Sequence, residues 1–137
     1  MTRLNLTERR RVLGAAASLV TALFALLVVV RPRRFVVSGE SMLPTLRPGD
    51  HLLVARIGRP KDGDLVVVRD PRLESRLVCK RVVSADARHI IVRGDNPDAS
   101  TDSRAFGPVP VEWVVGRVLR RYWPTDGEPL RPGTPHT

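Results

Sequence analysis

Leu77-Val78-Cys79-Lys80-Arg81-Val82-Val83 is a largely apolar, valine-rich run with two basic residues near its middle. It reads as a strand, since β-branched side chains fit a pleated, buried surface and successive residues point to opposite faces. Alternation turns Lys80 inward with Val78 and Val82. Lys80 is one of two lysines among 23 basic residues, the others all being arginine. Arginine keeps its proton in a protein, whereas a lysine taken into apolar surroundings can lose it. At an ordinary pKa of about 10.4 the amine is protonated and cannot act as a base. Burial among Val78, Cys79 and Val82 disfavours the charge and lowers that value. The competing reading is a lysine that snorkels outward or pairs with an acid such as Asp102.

The strand pattern continues on both sides. Short Val/Leu/Ile runs between turns predict strands over Phe35–Val37, His51–Ile57, Leu65–Arg69, Leu77–Val83, His89–Arg93 and Val114–Arg121. Pro48-Gly49-Asp50 and Asp62-Gly63-Asp64 punctuate them. The expected architecture is mostly β, with a compact antiparallel domain over residues 35–124. The polar stretch 94–107, opening with Gly94-Asp95-Asn96-Pro97, reads as a loop. Residues 125–137, rich in proline and glycine, read as a disordered tail.

Ahead of this domain, Val12 to Val30 carries no charged residue and is bounded by Arg11 and Arg31. That length suits a membrane-spanning helix. A cleaved signal peptide and a buried core helix are the other fates of such a run. It is long for a signal peptide, and Arg31-Pro32-Arg33-Arg34 follows without a cleavage site, so an uncleaved anchor over residues 12–30 is expected. Residues 1–11 form a basic N-terminal segment. Arginines flank the anchor on both sides, so charge leaves the orientation open.

The chain has 137 residues, room for one domain, with a net charge of +9 and a sequence pI of about 11.4. Such charge admits nucleic-acid or anionic-lipid binding. The arginines are scattered, however, and aromatics are only 4%, which leaves no platform for stacking bases. A single cysteine excludes an internal disulfide, and His51, His89 and His136 lie too far apart for a metal-ligand spacing. No metal, cofactor or nucleic-acid partner is expected.

A lysine base needs a nucleophile. Ser38-Gly39-Glu40-Ser41-Met42-Leu43-Pro44-Thr45-Leu46 offers Ser41 on a short apolar turn stiffened by Pro44. Serine and neutral lysine together suggest a dyad and acyl transfer. In the polar loop, Ser100 is suited to hydrogen-bond the lysine amine, and Asp102 with Arg104 to brace the loop. An ordinary loop capped by its own side chains is the plain alternative.

Taken in order, Ser41-Met42-Leu43-Pro44-Thr45-Leu46, Gly63-Asp64-Leu65-Val66-Val67-Val68, Lys80-Arg81-Val82-Val83, Gly94-Asp95-Asn96 through Ser100, Asp102-Ser103-Arg104 and Phe106-Gly107 resemble the type I signal peptidases. These are membrane-bound Ser/Lys endopeptidases that remove signal peptides. The resemblance spans about Phe35 to Arg121. It implies Ser41 as nucleophile, Lys80 as general base, and the Ser41 N–H as an oxyanion donor. Ser100 would orient Lys80, and Asp102 and Arg104 would pair beneath the site. Phe35, Val37, Met42, Leu46 and Cys79 match positions lining pockets for an Ala-X-Ala cleavage motif. It also implies preproteins as partners, insertion in the bilayer of the cytoplasmic membrane, N-terminus inside and catalytic domain outside.

Gly39 stands where some members have a serine that completes the oxyanion hole, and the large insertions of other members are missing. The segments around Gly94-Asp95-Asn96-Pro97 and Phe106-Gly107-Pro108-Val109-Pro110 also resemble small proteases that mature nickel superoxide dismutase by trimming its N-terminal extension. Two further classes compete. A self-cleaving Ser/Lys repressor needs an internal cleavage site and a DNA-binding domain, and neither is visible. An inactive, basic, membrane-anchored adaptor would be expected to lack Ser41 or Lys80, and both are present.

Overall fold

The computed structural model describes residues 5–124 and Leu130. It divides into two compact units that meet after Arg31. The first holds helix α1 (Leu6–Val30), 25 residues and about 37 Å long. The Asn5 N–H donates to the Glu8 carboxylate at 3.1 Å and so closes its N-terminus. Arg31, left-handed at φ 42°, ends it, with its N–H on the Leu27 carbonyl at 3.0 Å and Pro32 following. The helix therefore takes in Arg9, Arg10 and Arg11, ahead of the uncharged run. None of its residues is buried, although most are apolar, and it is long and apolar enough to cross a membrane.

The second unit is one antiparallel sheet of seven strands. They are β1 (Arg33–Val36), β2 (His51–Ala55), β3 (Leu65–Asp70), β4 (Leu73–Ala85), β5 (His89–Arg93), β6 (Val109–Pro110) and β7 (Val114–Trp123). Their order across the sheet is β1-β2-β7-β3-β4-β5-β6. Six of the seven fall on the expected segments. β6 lies outside the expected strands; it has two residues, and one is proline. β4 begins four residues early and forms a hairpin with β3. Within the polar stretch lies a short helix, α2 (Ser103–Phe106), with Asp102 as its N-cap.

Both faces of the sheet are covered, which a single inward-facing alternation does not anticipate. Along β3, Leu65 and Val67 join one core cluster with Val37, Met42, Leu46, Leu52, Val54 and Cys79. Val66 and Val68 join a second, with Val82, Ile90, Val92, Val109 and Val114. Each fully buried side chain of this size contributes about 1.5–3 kcal/mol. Lys80 therefore sits on a strand whose neighbours on both faces are pinned. Of the expected tail, Leu130 packs against the first cluster; the rest of 125–137 lies outside the described residues, as do residues 1–4.

Candidate active site

Lys80 is only 3% exposed. β4 fixes it by pairing on both edges: Lys80 lies opposite Val66 of β3, and the next residue, Arg81, lies opposite both Leu65 of β3 and Arg93 of β5. Ser41 comes from the connection between β1 and β2. Turn bonds from Leu43 N–H to the Glu40 carbonyl and from Leu46 N–H to the Met42 carbonyl shape that connection. Met42 and Leu46, 1% and 0% exposed, plug into the first core cluster and hold Ser41 half-buried beside them. Ser41 and Lys80 line the same cleft, with Phe35, Val37, Met42 and Cys79 on its apolar wall. Leu46, expected with that wall, lies in the core and does not line the cleft.

The lysine amine donates to Ser100 Oγ at 3.0 Å. Ser100 Oγ in turn donates to Asp102 Oδ2 at 2.8 Å. The carboxylate of Asp102 can only accept, so the Ser100 proton is committed to it and Ser100 must accept from Lys80. One N–H of the amine is thereby directed away from its lone pair. No ion pair joins Lys80 to Asp102 among the described residues, since Ser100 stands between them.

Asp102 is 1% exposed. Burial opposes its ionisation, but bonds from the Arg104 guanidinium, the Gly94 N–H and Ser100 outweigh burial and hold its carboxyl well below the usual range. Arg104 reaches it through Nε at 2.9 Å and a terminal nitrogen at 2.8 Å. Lys80 shifts downward for the reason its strand suggested. Burial is the main cause, the Asp102 charge opposes it, and Arg72 and Arg76 add to it. Burial pushes the neighbouring Cys79 thiol up to about 12, so it stays protonated and is no competing nucleophile.

Among the described residues, the Ser41 hydroxyl is hydrogen-bonded to neither Lys80 nor any other group, and the Ser41 N–H has no acceptor. Ser41 lines the cleft. Gly39 also lines the cleft, at φ 81°, a conformation that glycine adopts without strain.

Several positioning groups have no counterpart in the sequence reading. Asp95 accepts from Arg81 Nε at 2.8 Å and from its terminal nitrogen at 2.7 Å, and also from the Thr45 hydroxyl. It thus ties the residue after the lysine to the turn that carries the serine. Asn96 donates from its N–H to the Ser41 carbonyl at 2.9 Å and from its side chain to the Glu40 carbonyl at 3.1 Å. Both belong to the quoted Gly94-Asp95-Asn96 motif. The signal was visible, but its partners lie 14 to 56 residues away in the chain and only folding reveals them.

Ser103 shows how one position alters a role. Its hydroxyl accepts from the Val92 N–H at 2.9 Å and does not touch Lys80. Ser100→Ala is accordingly expected to lower turnover by roughly ten- to a few hundred-fold, mostly in kcat, from the loss of about 1–3 kcal/mol of orienting hydrogen bond. Ser103→Ala is expected to cost stability more than turnover. Steady-state kinetics and thermal melts of the two variants make the comparison. A larger loss of turnover in Ser103→Ala would reverse the assignment.

An open serine and a buried lysine in one cleft of a β domain, preceded by a helix of membrane-spanning length, define a class. The profile for signal peptidase, peptidase S26, matches residues 9–87 and 84–123, and the chain belongs to that family. Its relatives include the mitochondrial ATP-independent inner membrane protease subunit 1a of Arabidopsis thaliana. That protein is 40% identical over 117 residues, covering 66% of this chain and 70% of the relative. The mitochondrial inner membrane protease subunit 1 of Xenopus tropicalis is 34% identical over 113 residues, covering 65% and 68%. Subunit 2 of the Saccharomyces cerevisiae protease is 31% identical over 127 residues, covering 72% and 70%. The chain is thus of peptidase type, with a membrane-type helix.

Proposed function

We propose that this protein is a membrane-bound serine endopeptidase that cleaves preproteins after small residues, using Ser41 and Lys80. The buried Lys80 carries the reading. Its pKa is lowered by desolvation, its one observed hydrogen bond goes to Ser100, and it faces the cleft of an open serine. In this mechanism neutral Lys80 takes the Ser41 proton as Oγ attacks the scissile carbonyl carbon. The oxyanion accepts from the Ser41 N–H. Lys80 then returns the proton to the leaving amine, and an ester on Ser41 remains. Lys80 next takes a proton from a water as it attacks the ester carbon; the bond from that carbon to Ser41 Oγ breaks, and Lys80 gives the proton to Oγ, restoring both residues.

The cleft, about 160 Å³, is small beside ordinary ligand pockets of roughly 300–1,000 Å³. Its apolar wall of Phe35, Val37, Met42 and Cys79 suits the small side chains of an Ala-X-Ala motif. We place α1 across the cytoplasmic membrane with the N-terminus inside and the β domain on the outer face. That topology brings the cleft to preproteins emerging through the bilayer, and inner-membrane relatives support a membrane location.

N-terminal proteomics of a deletion strain tests the substrate. Several exported proteins are expected to retain a leader whose last and third-last residues are small. A single retained extension would indicate a dedicated maturation protease instead. An unchanged set of N-termini would contradict both and favour an inactive adaptor.

A further inference from the structure

The cleft that holds Ser41 and Lys80 is also lined by two arginines that the proposed chemistry does not use, Arg72 and Arg76. Arg72 is clamped, with its Nε and a terminal nitrogen on the buried Asp70 at 3.0 and 2.8 Å. Its charge is matched. Arg76 is exposed, and its side chain makes no hydrogen bond or ion pair among the described residues. The local register explains why it stands clear. Arg69 pairs with Leu77 and Asp70 with Leu73, so Glu74, Ser75 and Arg76 lie opposite no residue of β3. Glu74, the acid between the two arginines in sequence, does not line the cleft.

Charge along the cleft is graded. Glu40, also exposed and lining the cleft, lies next to Ser41. It repels an acidic side chain close to the scissile bond. Arg76 precedes Lys80 by four residues of β4, at most about 13 Å away. Between them lie Leu77 and Cys79 of the apolar wall. In the proposed function that wall receives the small residues that precede the scissile bond. Arg76 therefore lies beyond them on the same side. An extended peptide advances about 3.3 Å per residue, so a span of about 13 Å puts the residue that meets Arg76 about four or five positions before the cut.

We propose that Arg76, backed by the clamped Arg72, is a carboxylate-recognition subsite that selects substrates with Asp or Glu about four or five residues ahead of the cleaved bond. The inference rests on the proposed endopeptidase activity and adds a second determinant to the small-residue motif. The guanidinium is partly solvated, so its contribution is modest and screened by salt.

The test uses the full-length protein in detergent micelles and synthetic peptides that share an Ala-X-Ala site. They carry Glu, Gln or Lys at the fifth residue before the cut. At low ionic strength the wild type is expected to favour Glu over Gln by about two- to five-fold in kcat/KM, less in high salt. Arg76→Gln should bring that ratio to near one, and Arg76→Glu should favour Lys over Glu. Cleavage of all three peptides at equal rates by the wild type would overturn the subsite and leave the protease intact. Cleavage of none would remove the protease reading and this inference together. Should Arg76→Gln weaken binding to phosphatidylglycerol vesicles while peptide preference stays unchanged, the arginine serves lipid headgroups and the inference is wrong.

Discussion

Ser41→Ala and Lys80→Arg are each expected to abolish cleavage of a signal-peptide substrate, lowering the single-turnover rate by at least about 10⁴-fold. In the proposed dyad the two residues act as one unit, so each loss should be similar and the double variant no worse than either single. Arginine preserves the positive charge but cannot accept the serine proton. It is also bulkier, and at 3% exposure the site has little room. Lys80→Met resolves that ambiguity, since it keeps the length of the stem and removes only the amine. It should fold, as judged by its thermal melt, and still be inactive. Appreciable turnover in Lys80→Met, measured by mass spectrometry of the products, would remove lysine from the general-base role.

Gly94→Ala is expected to have the next largest effect, from a single added methyl group. An added Cβ would overlap the Ser100 hydroxyl and come within 2.5 Å of the Ser41 carbonyl oxygen. In the proposed mechanism Ser100 orients the lysine and Ser41 is the nucleophile, so one atom displaces both partners. The Ser41 carbonyl belongs to the backbone and is held by the Asn96 N–H, so it has no easy way to yield. Gly94 also donates its N–H to Asp102 at 3.0 Å, which stops the strand end from backing away. Overpacking of this kind costs about 1–3 kcal/mol of stability. Turnover should fall by roughly 100-fold or more, because reacting groups moved by an ångström lose that much. A variant with native turnover would show that the loop relaxes without disturbing the pair.

The strands around Lys80 were legible because their residue types and alternation are strong local signals. β3 and β5 lie where their valine and isoleucine runs place them. β6 was not legible, since pairing of Ile90 with Val109 and of His89 with Pro110 is decided by β5 and not by its own two residues. For the site, the inward lysine followed from period-two alternation. Cys79, on the opposite face of β4 from Val82, is buried as well, because β4 has a core on each face. The Leu46 role was lost because its side chain fills core beneath the turn, although its backbone shapes the turn itself. Asp95 and Asn96 were in view, but a short polar motif does not reveal partners that arrive from Thr45, Arg81 and Ser41.

The central claim is that Lys80 is neutral when it meets Ser41. Its folded pKa lies below the unfolded value of about 10.4 because burial disfavours the ammonium. The native state therefore binds fewer protons than the unfolded chain between those two values. Stability should fall as pH drops through that window and level off below the folded pKa. Activity follows the same sign, since only the neutral amine accepts the serine proton. The most direct measurement is the pH dependence of the single-turnover rate of Ser41 acylation by a peptide substrate. The rate should rise with pH through one ionisation whose midpoint lies below about 10.4, and decline steadily into the acidic range. A rate that stays flat from neutral to mildly acidic pH, with acylation shown to be the slow step, would contradict a lysine base.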